Sequence, residues 1–176
     1  MLEGLGLNFE IKPIDLKEII NPTLGPAEIV ESLAVQKGTA FGDLPDDETC
    51  LISADTLVFL KNEILGKPKD EDDAASMLSK LSGVNHQVIT GVFLRKGKER
   101  VIFSEITQVH FRSLNESEIQ HYISNYEVLD KAGAYAIQEW IGLGFIEKIE
   151  GCYFNVVGLP TSQVFNELKQ LGVVRF

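Results

Sequence analysis

The chain has 176 residues, 44% of them hydrophobic and 24% charged, which suits one globular domain with a core of its own. A net charge of −10 argues against a long nucleic-acid duplex as partner, since phosphates demand a basic face, but leaves room for a small anion in a local cationic pocket. No apolar run of roughly 18 residues is present to span a membrane, and "MLEGLGLNFE" has neither the basic nor the apolar region of a secretory signal.

In chain order, "LGLNFEIKPI" alternates Phe9 and Ile11 with polar neighbours, the period of a strand. "PAEIVESLAVQKGTAF" reads as a helix, with Pro26 at an early position and Lys37 near the end, where a cation suits the helix dipole. "GDLPDDET" is a polar loop, "CLISADTLVFL" a strand, and "KNEI" the turn of a short hairpin. "DEDDAASMLSKLSG" has an acidic start, an apolar stripe of Ala74, Met77, Leu78 and Leu81, and a terminating Gly83. "HQVITGVFLRK" and "RVIFSEITQVHFRSL" are neighbouring antiparallel strands around the charged "KGKE". In "NESEIQHYISN", Asn115 and Glu118 stand at capping-box spacing ahead of inward Ile119, Tyr122 and Ile123. The glycine-spaced "KAGAYAIQEWIGLGF" reads as an ordered loop, "FIEKIEGCYFNVVGL" as β-like, and "PTSQVFNELKQLG" as a closing helix. Helices interleave with strands, so the fold class is α/β, a single domain over residues 1–176 with a mixed twisted sheet flanked by helices.

Asp55 interrupts an apolar strand. A buried carboxylate must be paired, hydrogen-bonded or metal-bound, which leaves two readings open: a structural aspartate at a turn, or a general base or divalent-ion ligand. Lys67 and Lys69 bracket Pro68, either pairing with the acidic residues 70–73 or binding phosphate from a stiffened loop. Lys37 and Lys131 add further cations. Gln138 can read a base edge through its amide, or "DKAGAYAIQ" is a small-residue loop packed closely on a helix. Cys50 and Cys152 form no C-x-x-C and read as reduced thiols; His86, His110 and His121 lack the spacing of a helical zinc site. An aspartate after an apolar strand also suits a phosphatase of the haloacid dehalogenase type, but Leu57 stands where that chemistry needs a second aspartate.

Taken together, "LAVQKGTA", "ISADTLVFLKNEILGKPKDEDDAASMLSKLSGVNHQVITGV", "TQVHFRSLNESEIQHYI", "DKAGAYAIQ" and "IEGCYFNVVGLP" resemble, in this order, the Maf family of nucleoside triphosphate pyrophosphatases, whose fold is related to the inosine triphosphatases. The "KAGAYAIQ" form is similar to the dTTP/UTP-preferring branch. The resemblance implies Asp55 as proton acceptor for water attacking the phosphate chain, Lys37 and Lys67 lining the phosphate site, and Glu18 as an acidic active-site residue. It places Thr56 and Gln138 at positions tied to base choice, with Lys131 beside them among the substrate-binding residues. It further implies a divalent cation, Mg²⁺ or Mn²⁺, with Asp55 and Glu18 as the candidate ligands, a nucleoside triphosphate as substrate, a cytoplasmic location and a homodimer.

Two departures accompany the resemblance. Ala136 stands where this branch carries glycine, and Cys152 and Phe154 where the family carries serines. Family members also begin with a strand leading into Ser-x-Ser-Pro-Arg-Arg and a helix, a motif this sequence lacks, so the fold is expected without its first strand and helix. Two charge-assisted phosphate contacts, each worth about 1.5–3 kcal/mol, would go with that loop. The alternative expectation is a non-catalytic nucleotide-binding or cell-division interaction protein that retains the fold.

Overall fold

In the computed structural model, residues 1–61 and 63–174 are described. After a 3-10 turn at Glu3–Leu5 come α1 (Pro26–Ala40), β1 (Cys50–Leu60), β2 (Glu63–Leu65), α2 (Glu71–Leu81), β3 (Asn85–Lys96), β4 (Glu99–Phe111) and α3 (Glu116–Asn125). A second 3-10 turn at Ala132–Ala134 precedes α4 (Trp140–Phe145), β5 (Ile146–Glu150), α5 (Tyr153–Val157) and α6 (Thr161–Gln170). The strands form one sheet in the order β2-β1-β3-β4-β5, with β2 antiparallel to β1 and β5 antiparallel to β4. The class is α/β. None of the described helices is long and apolar enough to cross a membrane.

The caps read from sequence are built. Asp70 accepts from the Asp73 N–H at 2.8 Å to open α2, and Asn115 and Glu118 exchange hydrogen bonds of 3.0 and 2.7 Å to open α3. At α1, Glu28 accepts from the Gly25 N–H at 2.8 Å just before Pro26.

Contacts group the chain into two compact units. One comprises residues 1–55, 90–105 and 158–176. Its core joins Val92 and Leu94 of β3 to Leu159 and to Val164, Leu168 and Leu171 of the C-terminal helix and its end. Here α1 lies directly on β3: a Cβ at Gly91 would run into the Val30 carbonyl and the Glu31 amide. Ser53 Oγ of β1 donates to the Ala34 carbonyl at 2.8 Å, tying α1 to β1 as well.

The other unit comprises residues 56–89 and 106–157. Leu78 and Leu81 of α2, Tyr122 of α3 and Ile141 of α4 fill its core with Val58, Val88 and Val109 of the strands. His86 is buried there between the rings of Phe111 and Tyr135, its Nε2 2.7 Å from the Tyr135 hydroxyl. Burial, with a smaller contribution from His110, lowers its pKa from 6.5 to about 4. Thr107 Oγ1 accepts from the Cys152 N–H at 3.0 Å and from Asn155 Nδ2 at 2.9 Å, turning the chain out of β5.

Three expectations need correction. Residues 6–25 hold neither strand nor helix, and Phe9 and Ile11 are 47% and 78% exposed. Alternation gives a strand only where a neighbour accepts the ladder, and among the described residues no strand pairs with this segment. The segment expected to be a loop holds the second 3-10 turn and α4, because glycine spacing hides a helical period that Gly142 serves by packing against the Ile137 carbonyl. The β-like run ends at Glu150; Gly151, at φ 133°, breaks it and α5 follows. The turn expected at "KNEI" includes Asn62, which lies outside the described residues.

Gly91→Ala is expected to destabilise the protein by several kcal/mol, about 3 or more, since the clash is with backbone that can yield only if α1 lifts from β3; chemical denaturation measures it. Between pH 6.5 and 4 the unfolded chain binds a proton that native His86 refuses, so stability falls as the pH drops through this window. That linkage is worth up to about 3 kcal/mol. His86→Gln, which does not titrate, is expected to flatten the dependence in denaturation curves taken across the same window.

Candidate active site

Glu18, Lys37 and Asp55 meet in the first unit. Lys37 sits in the last turn of α1 and Asp55 at the middle of β1, two elements already joined by the Ser53–Ala34 hydrogen bond. The Lys37 ammonium donates to Asp55 Oδ1 and lies 3.0 Å from Glu18 Oε1. Asp55 is only 10% exposed, against 31% for Lys37 and 42% for Glu18. Burial pulls the Lys37 pKa down, but the carboxylates of Asp55 and then Glu18 pull it up by more, and the net shift is upward. The ammonium therefore stays charged throughout the neutral range.

Glu18 belongs to a segment without regular structure, yet it is held in place. The next residue, Ile19, donates its N–H to Gln36 Oε1 at 3.0 Å, and its carbonyl accepts from Gln36 Nε2 at 2.9 Å. Gln36 immediately precedes Lys37 on α1, so one helical turn places both the cation and the segment bearing its second carboxylate. Sequence inspection passes over this residue. A surface glutamine has no signature until its partner backbone is known.

A cavity of about 860 Å³ opens beside Glu18 and Lys37. Glu18, Lys37 and Ser53 contribute polar wall, and Phe9, Leu16 and Phe41 apolar wall. Its volume suits a drug-sized or nucleotide-sized ligand. The cations on the wall are Lys12 and Lys37, against Glu10, Glu18 and Glu48, so an anionic ligand there needs additional positive charge.

A resident metal does not suit Glu18 and Asp55: the Lys37 ammonium already bridges them, and among the described residues no cluster of three or more His, Cys, Asp or Glu is placed to bind one. Two carboxylates do suit a hard ion that arrives on a phosphate chain and retains phosphate and water ligands.

The remaining expected residues lie in the second unit. Thr56 follows Asp55 on β1 and is half-buried. Lys67 is exposed, ahead of a buried Pro68. Lys131 Nζ binds the Glu127 carbonyl, Asp130 Oδ1 at 2.8 Å and Glu139 Oε1 at 3.5 Å. Burial lowers its pKa, and the two carboxylates more than offset that, so it too is raised. Gln138 is exposed beside Glu139, whose Oε2 accepts from the Tyr122 hydroxyl. Burial first, then Glu139, pushes the Tyr122 hydroxyl pKa up, so it remains a donor. Tyr122 and Glu139 are further residues that no motif announces, since their pairing joins α3 to a segment that reads as loop.

Comparison with known proteins bears on what these centres are for. A dTTP/UTP pyrophosphatase from Flavobacterium psychrophilum is 49% identical over 164 residues, covering 93% of this chain and 84% of that protein. The protein of that name from Phocaeicola vulgatus is 44% identical over 172 residues, covering 97% and 89%, and that from Syntrophomonas wolfei 45% identical over 176 residues, covering 98% and 91%. The family model described as "Maf-like protein" matches residues 1–171, a span that includes the lysine-bridged carboxylates and the Lys67, Lys131 and Gln138 segments alike. The chain belongs to the Maf-like protein family.

Proposed function

We propose that this protein hydrolyses dTTP and UTP to the monophosphate and pyrophosphate. The observation that carries the reading is the Lys37 ammonium shared by Asp55 and Glu18 beside a nucleotide-sized cavity, in a chain whose relatives bear that activity in their names.

Asp55 is the proton acceptor. Its pairing with Lys37 favours the ionised carboxylate, so at neutral pH it can take a proton from water. As that proton leaves, the water oxygen bonds to phosphorus, the anhydride bond opens and pyrophosphate departs with the bonding pair. Lys37 then faces the phosphate chain as well as Asp55, and Glu18 anchors its other side. Lys67 adds an ammonium to the phosphates, while Thr56 and Gln138 read the base. Lys131, expected among the substrate-binding residues, lies in the same 130–139 segment as Gln138, its ammonium engaged by Glu127, Asp130 and Glu139. Mg²⁺ or Mn²⁺ held by phosphate oxygens with Asp55 and Glu18 would neutralise triphosphate charge. A cytoplasmic homodimer completes the reading, by similarity to the family.

Asp55→Asn keeps shape and hydrogen bonding but cannot accept the proton. It is expected to lose pyrophosphate release by about 10²–10⁴-fold with thermal stability nearly unchanged; a phosphate-coupled assay on dTTP and UTP measures it. A folded wild-type protein that binds dTTP without releasing pyrophosphate would instead establish a non-catalytic nucleotide-binding protein. Lys37→Met removes the ammonium shared by Asp55 and Glu18, and is expected to lower kcat/KM for dTTP about tenfold or more in the same assay. The alkaline limb of kcat/KM against pH in the wild type should not set in below the ordinary lysine value, because the Lys37 pKa is raised.

A further inference from the structure

In the second unit, the turn after Lys131 contains consecutive residues in left-handed backbone geometry, Gly133 at φ 69° and Ala134 at φ 63°. Ala134 is fully buried, and an L-residue with a Cβ rarely adopts that geometry. Such a conformation persists only where the surroundings over-determine it. On one side, the Gly133 N–H donates to the Gly66 carbonyl at 3.0 Å, and a Cβ at Gly133 would stand 3.0 Å from Val58 Cγ2. On the other, Lys131 is held by Asp130 and Glu139, and Glu139 by Tyr122 of α3. Gly66 immediately precedes Lys67. The hydrolytic chemistry uses none of Lys131, Glu139 or Tyr122, yet together they form a partly buried polar chain behind the turn whose Gly133 donates to Gly66. Lys67 is also felt by Asp130, whose carboxyl is held below its usual range chiefly by Lys131 and in lesser part by Lys67.

We propose that Lys131 is a positioning residue for Lys67, acting through the Gly133–Gly66 hydrogen bond, with Glu139 and Tyr122 as its rear anchor. The inference rests on the reading of Lys67 as a phosphate contact. Its physical content is preorganisation. An ammonium on an exposed loop loses freedom when it binds phosphate, and a loop pinned by a partly buried network has lost part of that freedom already. The network should therefore tighten triphosphate binding and leave the chemical step alone.

Hydrogen exchange in the full chain tests the mechanical part. Lys131→Met is expected to speed exchange of the Gly133 amide, the donor to the Gly66 carbonyl, about tenfold or more while core amides keep their protection. Glu139→Gln, which keeps the shape of the anchor, is expected to do the same more weakly, and it serves if the Met variant does not fold. Unchanged exchange at the Gly133 amide in a folded variant overturns the proposal. The kinetic part is a double-mutant cycle. Lys131→Met should raise KM for dTTP about tenfold with kcat nearly unchanged, Lys131→Arg should restore most of it, and in a Lys67→Met background the Lys131 change should add nothing. Additive effects overturn the inference while leaving the pyrophosphatase reading intact. Absence of turnover in the wild type sinks the pyrophosphatase reading, and the exchange comparison still decides whether Lys131 holds the loop.

Discussion

The contact on which the proposed chemistry depends is the Lys37 ammonium between Asp55 and Glu18. A carboxylate as secluded as Asp55 is costly to ionise in isolation, and a lysine as buried as Lys37 is costly to protonate. Each removes the other's penalty, provided geometry keeps them together. That geometry comes from two secondary-structure elements: the last turn of α1 and the centre of β1, joined by the Ser53–Ala34 hydrogen bond and, at Gly91, by a helix seated directly on β3. The packing of small residues and the placing of charge are one problem here. A bulkier residue at Gly91 would move the cation as well as the helix.

The second unit solves a different problem with similar means. Its buried polar groups are hydrogen-bonded into pairs and triads: His86 with Tyr135, Asn155 and Cys152 with Thr107, Tyr122 and Lys131 with Glu139. Several of these join β-strand to loop rather than strand to strand, so they fix irregular segments that no backbone ladder could hold. The segment from Asp130 to Glu139 is the clearest instance, fastened along its length and bearing Gln138 on its exposed side.

Much of this was legible before any coordinates. The caps of α2 and α3 carry their own chemistry in a few adjacent residues, and their helices follow as read. Asp55 stood out because a carboxylate in an apolar strand needs a reason, and Lys37 because of its place near a helix end. What stayed hidden depends on partners distant in sequence. Phe9 and Ile11 alternate as strand residues do, but a strand also needs a neighbour. Gln36 looks like any helical surface residue until Ile19 arrives at its amide. The joining of Tyr122 to Glu139 crosses a stretch whose glycines mask its helix.

The fastening of the Glu18 segment has a further consequence. Lys37 and Asp55 stand on regular elements, whereas Glu18 lies in a segment without regular structure, kept near them by its own contact with Lys37 and by the side-chain amide of Gln36. Hydrogen bonds of this kind contribute about 1 kcal/mol each, a small part of a domain's global stability. Detachment of this segment would be a sub-global opening, costing less than unfolding of the whole. The lysine–aspartate pair thus rests on helix and strand, while its second carboxylate rests on side-chain contacts.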